Sequence, residues 1–188
     1  MKKKIIIPIG IVALFLVIGF IIFDNNKIVS TITLDINPSI EINLTRNEKV
    51  KSVVALNEDA KEIVNGNLKG KSIDDTLKQI TDNLIEKRYV AEENFLEIIL
   101  YSEGDISNKE LETKLKETLE KKKIDSNITT IEKVSKEDEE LAKKYDVSPA
   151  KISYIKSIIK DNENINIEDL SNKSVSELNE TKATGKYC

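Results

Sequence analysis

The chain has 188 residues, 33% of them charged and 5% aromatic, with no Trp, no His and a formal net charge of −4. That length allows one domain of ordinary size, the missing histidine removes the usual neutral-pH acid–base group and the commonest metal ligand, and a lone cysteine at the last position, Cys188, excludes a disulfide framework or a cysteine-rich metal site. Without Lys2, Lys3 and Lys4 the remainder carries 26 basic and 33 acidic residues, a net −7, and an acidic body of this kind argues against a nucleic-acid partner.

The first element is apolar. "MKKK" is followed by Ile5 to Phe23, 19 residues without a charge. At about 1.5 Å per residue a helix of that length is roughly 28 Å long, close to the hydrocarbon thickness of a bilayer. Pro8 falls in its first turn, where a missing N–H costs little. Lysines before the segment and Asp24 after it put the N-terminus in the cytoplasm. A cleaved signal peptide is the competing reading, but the run exceeds an ordinary signal core and "FIIFDNN" offers no small-residue cleavage site. The expectation is an uncleaved single-pass anchor in the cell membrane, with the C-terminal region extracytoplasmic.

The next stretch, "TITLDINPSIEINL" from Thr31 to Leu44, has the period-2 alternation of a strand, with isoleucine or leucine at every even position except Pro38. Proline cannot donate to a sheet ladder and marks an edge or a bulge. A turn at Arg46 to Lys49 leads to a strand over Val50 to Leu56, then a short helix over Glu58 to Val64. Ser72 opens a stronger helix, with Asp75 completing a variant capping box and Ile73, Leu77, Ile80 and Leu84 forming an apolar stripe. Asn94 to Ser102 reads as a buried strand, Ser107 to Glu110 as a capping box before Leu111, Leu115 and Leu119, and Asn127 to Val134 as the next strand.

From Ser135 the pattern becomes consecutive short helices. Ser148 is an N-cap with Pro149 at the first helical position, and Ile152, Ile155, Ile158 and Ile159 give that helix a buried face. Another capped turn starts at Ser174 to Glu177, and the tail is expected to fray. The expected architecture is α+β: residues 1–4 a cytoplasmic stub, 5–23 a transmembrane helix, 30–134 an extracytoplasmic domain with a small mixed sheet of about five strands and packed helices, 135–180 a helical segment, and 181–188 a tail.

The acidic runs "KEDEEL" and "DNENINIED" lack the glycine and oxygen-donor spacing of a calcium loop and read as caps and solvated faces. No metal or cofactor is expected, and no enzyme acting on a diffusible substrate. Asn37-Pro38 is chemically distinctive. Ordinary asparagine ageing needs the next residue's backbone N–H, which proline lacks. The reverse attack remains: the Asn37 side-chain nitrogen adds to its own main-chain carbonyl, forms a succinimide and expels Pro38 as an amine, cutting the chain in a single turnover. Backbone strain would speed it. Asp35, Ser39 and Glu41 share the polar face with Asn37 and are the candidates for support, although neighbours on one face of a flat strand lie roughly 7 Å apart. From the residues alone the simpler alternative, a proline that only marks an edge or bulge, stands beside this one.

"TLDINPSIEINLTRNEKVKSVVALNEDAKEIV" resembles the extracytoplasmic domain of RsgI-type anti-sigma factors, and "LAKKYDVSPAKISYIKSII" with "IEDLSNKSVSELN" resembles the helical segment that follows it in that bacterial family. The resemblance implies self-cleavage between Asn37 and Pro38, retention of the two halves as paired strands, and intramembrane proteolysis of the stub to free a sigma factor. The implied partners are the membrane, an intramembrane protease and a sigma factor. Family members carry a cytoplasmic anti-sigma domain before the membrane helix, where this sequence has only "MKKK". The expectation is therefore a regulatory module whose anti-sigma or sigma component is separately encoded or lies upstream of a misassigned start. The alternative is a paralogue that has lost that output and serves as an uncleaved binding or adaptor module.

Overall fold

The computed structural model describes residues 27–90, 95–160 and 165–184. The alternating stretch folds back on itself as strands β1 (Ile28–Asp35) and β2 (Ser39–Thr45), antiparallel and joined by Ile36, Asn37 and Pro38. The register pairs Asp35 with Ser39, Leu34 with Ile40 and Ile32 with Ile42. A loop of odd length sets odd-numbered residues opposite odd-numbered ones, so both strands turn their isoleucines and leucines to the same face. The written alternation therefore passes through the turn unbroken, and the apparent single strand is a hairpin. Pro38 interrupts no ladder because it lies in the loop.

β3 (Val50–Ala55) pairs with β2, and Asn57 caps the short helix α1 (Glu58–Ile63) by accepting the Ala60 N–H. α2 (Ile73–Glu86) follows with Ser72 as its cap, then β4 (Phe95–Gly104), α3 (Asn108–Glu120) and β5 (Asp125–Ile131). The sheet order is β3-β2-β1-β4-β5, antiparallel except for the parallel β4–β5 pair that α3 connects in sequence. β5 starts two residues earlier than the sequence pattern places it and stops at Ile131 instead of Val134, because its register with β4 runs from Phe95–Asp125 to Tyr101–Ile131.

One face of the sheet carries Ile32, Leu34, Ile40, Ile42, Leu44, Ile98 and Leu100, packed against the stripes of α1, α2 and α3; Ile73, Leu77, Ile80, Leu84, Leu111, Leu115 and Leu119 are all buried there. The opposite face of β4 turns Ile99 and Tyr101 toward the C-terminal helices α4 (Lys136–Tyr145), α5 (Pro149–Lys160), α6 (Ile167–Ser171) and α7 (Val175–Thr184). β4 is thus apolar on both sides through its middle, as a strand covered on both faces must be. Ile152, Ile155 and Ile158 of α5 are buried and Ile159 half-buried.

The acidic runs serve as caps and ion pairs where they are described. Asp138 and Asp169 close capping boxes with Ser135 and Asn166, and Lys156 of α5 lies 3.0 Å from Glu137 and 2.8 Å from Asp138 of α4. Asp146, in the left-handed conformation at φ 53°, ends α4 and turns the chain so that Ser148 starts α5. α7 continues through Thr184, past the point where the tail is expected to fray. No helix among the described residues is long and apolar enough to cross a membrane; Ile5 to Phe23, with Cys188, lies outside those residues.

β1 is the middle strand, and its outer end meets Gly104. At φ 110° this glycine sits where a Cβ would come within 1.9 Å of the Val29 carbonyl oxygen. Gly104→Ala combines an unfavourable φ with a backbone clash, and it should lower stability by about 2 kcal/mol or more. A reduced midpoint of urea unfolding measures this.

Candidate functional site

Asn37 forms the apex of the β1–β2 hairpin. The Ile36 N–H donates to the Pro38 carbonyl at 2.9 Å, and Pro38, with no N–H, cannot return the bond. Asn37 itself has φ 63°, a left-handed conformation that costs most residues about 1–2 kcal/mol and that asparagine tolerates better than most. Its side chain is exposed, whereas Pro38 is buried.

The two sides of the Asn37-Pro38 bond are held by different parts of the fold. Downstream, the Ser39 N–H donates to Asn57 Oδ1 at 3.2 Å and the Ser39 carbonyl accepts the Leu56 N–H at 2.9 Å. Asn57 Oδ1 also accepts the Ala60 N–H at 3.1 Å, so one side chain caps α1 and fixes the strand that leaves the turn. Upstream, Asp35 is 1% exposed, and its Oδ2 accepts a hydrogen bond from the Ser148 hydroxyl of α5. The same hydroxyl oxygen accepts the Lys151 N–H at 2.9 Å, which makes Ser148 at once the N-cap of α5 and the donor to Asp35.

Asp35 Oδ1 is buried without a hydrogen-bond partner. Burial raises the Asp35 pKa, opposed by the hydroxyls of Ser148 and Ser39 and by the Lys151 cation. Lys151 is also buried, and burial lowers its pKa against the opposing pull of Asp35 and Glu177. A carboxylic acid that keeps its proton above the ordinary range therefore lies two residues before the Asn37-Pro38 bond, under a helix from a distant part of the chain.

Of the residues singled out in the sequence, Asp35 and Ser39 are brought together as the closing pair of the hairpin, which removes the 7 Å spacing expected along a flat strand. Glu41 is not part of this group. It stands opposite Thr33 and accepts from Asn43 Nδ2 at 2.7 Å, and Asn43 Oδ1 accepts in turn from the Thr31 hydroxyl at 2.8 Å. Ser148 and Lys151 complete the cluster and escape the sequence pattern, which identifies Ser148 only as a cap. A signal was present: α5 has no acidic residue in its first turn and carries Lys151 there, against the preference of a helix N-terminus for negative charge.

The raised Asp35 pKa fixes the sign of a pH effect. The folded state binds this proton more tightly than the unfolded chain, so the contribution of Asp35 to stability falls as pH climbs from 3.8 through the folded-state value. Asp35→Asn removes that loss. The stability of the variant relative to the parent should rise over the same interval, by about 1.4 kcal/mol per unit of displacement, in paired urea titrations.

The model of the family described as "Anti-sigma factor RsgI-like central domain" matches residues 29–157, from the start of β1 into α5. The chain is 32% identical to anti-sigma-I factor RsgI of Bacillus subtilis over 157 residues, covering 78% of this chain and 39% of that protein. It is 26% identical to anti-sigma-I factor RsgI7 of Acetivibrio thermocellus over 169 residues, 87% of this chain and 31% of that protein, and 26% identical to RsgI8 of the same organism over 190 residues, 91% and 45%. It therefore spans less than half the length of these relatives. With the hairpin, its flanking helices and the whole of the matched region on one fold, the chain belongs to the family of anti-sigma factor RsgI-like central domains.

Proposed function

We propose that this protein is a membrane-anchored, extracytoplasmic regulatory module of the anti-sigma factor type, in which the Asn37-Pro38 bond is cut by the protein itself as a step in transmembrane signalling. The observation that carries the reading is the left-handed Asn37 immediately before a buried proline at the apex of a hairpin whose two flanks are separately clamped. The family match supports the regulatory role, and the charge-free run from Ile5 to Phe23 supports a single-pass anchor with the N-terminus inside.

In the proposed reaction Asn37 Nδ2 attacks the Asn37 carbonyl carbon, the bond to the Pro38 nitrogen breaks, and a succinimide closes at the new C-terminus. The amide gives up one proton and the departing Pro38 nitrogen takes one, so none is consumed overall. A buried acid that retains its proton suits the second half of that exchange, and Asp35 is such an acid. Ser39 belongs to the same closing pair; Glu41 has no part in the proposed step.

Residues 30–134 and 135–180 would then act together outside the membrane, since α5 reaches β1. After the cut, residues up to Asn37 remain covalently attached to the anchor while everything from Pro38 onward is held to them only by non-covalent contacts. Separation of the two would expose a short stub to an intramembrane protease, and a sigma factor, bound by a component inside the cell, would be the final recipient.

The test is the mass of the full chain, purified in detergent and denatured before analysis. Two fragments meeting at Asn37 and Pro38 are expected, and a single species in Asn37→Ala, which lacks the attacking nitrogen. Pro38→Ala should slow the cut by at least tenfold, because it restores an N–H to the turn and opens ordinary deamidation at Asn37. A parent chain that stays intact through prolonged incubation would leave the hairpin as the turn of an uncleaved membrane-anchored binding module.

A further inference from the structure

The helix α5 supplies a hydroxyl and a cation to the buried carboxyl beside the hairpin, although more than a hundred residues separate them: Ser148 to Asp35 spans 113 positions. We propose that Ser148 and Lys151 are positioning residues of the Asn37-Pro38 site, acting through Asp35, so that the site is complete only when α5 is docked on β1. The inference rests on the self-cleavage reading and adds to it a condition: the C-terminal helical segment licenses the cut.

Three features of the geometry carry it. Ser148 is fully buried and its oxygen is committed twice, accepting from the Lys151 N–H and donating to Asp35 Oδ2, so the carboxyl is fixed to the rigid start of a helix. Asp35 Oδ1 is buried and unpartnered, an expensive arrangement that a purely structural cap would not require. The Lys151 side chain is buried, and its charge acts on the same acid and on Glu177 of α7. The groups around Asp35 are Ser39 from β2, apolar Ile99 from β4, and Ser148 and Lys151 from α5.

Docking of α5 thus does two things at once. It shuts water away from Asp35, which holds the proton on, and it fixes the carboxyl through Ser148, which fixes the Asp35–Ser39 pair that closes the loop. With α5 displaced, Asp35 would meet solvent, ionise in the ordinary carboxylate range and lose its anchor.

The experiment follows the cutting of freshly purified full chain in detergent, by denaturing mass analysis, as a function of pH. The parent should show a rate that falls as pH rises through the folded-state pKa of Asp35. Ser148→Ala and Lys151→Met each remove a group that favours ionised Asp35, so both should move that inflection to higher pH, and Ser148→Ala, which also frees the carboxyl from its anchor, should cut at least tenfold more slowly at its plateau. Ser148→Thr, which keeps the hydroxyl, should restore both. Far-UV circular dichroism and urea midpoints identify any variant that fails to fold, and Ser148→Thr then carries the comparison with the parent. Parental rate and inflection in folded Ser148→Ala and Lys151→Met would overturn the positioning role and leave self-cleavage standing, as would slowed cutting with an unmoved inflection. A parent that is never cut would overturn both.

Discussion

The fold depends on β1 being the middle strand. It is paired with β2 on one side and β4 on the other, its Ile32 and Leu34 side chains are buried under α1–α3, and its far end is shaped to Gly104. The other strands join it through the ladders, β3 by way of β2 and β5 by way of β4. A break in the chain at the end of this strand need not release it, because the ladders on both sides and the side-chain packing are non-covalent and remain. The same arrangement would make removal of the strand costly, since two ladders and a core face would be lost together. A central strand would therefore keep its place if the bond after it were cut.

Burying a carboxyl in such a place needs compensation. Asp35 receives a hydrogen bond from an N-cap hydroxyl, the weaker influence of the Ser39 hydroxyl and the field of the Lys151 charge, and its Oδ1 makes no hydrogen bond of ordinary geometry. An isolated buried charge is far more costly than a neutral acid with one bond, which is why burial favours the protonated form here. The arrangement also couples distant parts of the sequence. The turn between α4 and α5, set by left-handed Asp146 and by the Lys156 ion pairs with Glu137 and Asp138, decides where Ser148 stands, and Ser148 in turn holds Asp35.

The extent of the family match fits this coupling. It runs from the first residues of β1 to residue 157, beyond the end of the sheet and through most of α5, and so includes Asp35, Asn37, Pro38, Ser148 and Lys151 in one unit. The remaining helices α6 and α7 add Leu170, Val175 and Leu178 to the second core beneath α5. They hold α5 against the sheet from outside the matched region.

The sequence by itself determined most of the local structure. Ser72, Ser107, Ser148 and Ser174 start helices where capping chemistry says they should, because a cap is settled by residues three apart. The stripes of α2 and α3 face the core for the same reason of periodicity. The Asn37-Pro38 dipeptide was legible as the chemically unusual place in the chain. What the alternation could not reveal was the reversal of direction at that place, since a three-residue loop preserves the parity of the pattern. Nor could any local rule join Asp35 to Ser148 and Lys151, or separate Glu41 from them. Those facts depend on the order of strands in the sheet and on which face α5 covers, and they are decided only when the two cores form on opposite sides of β4.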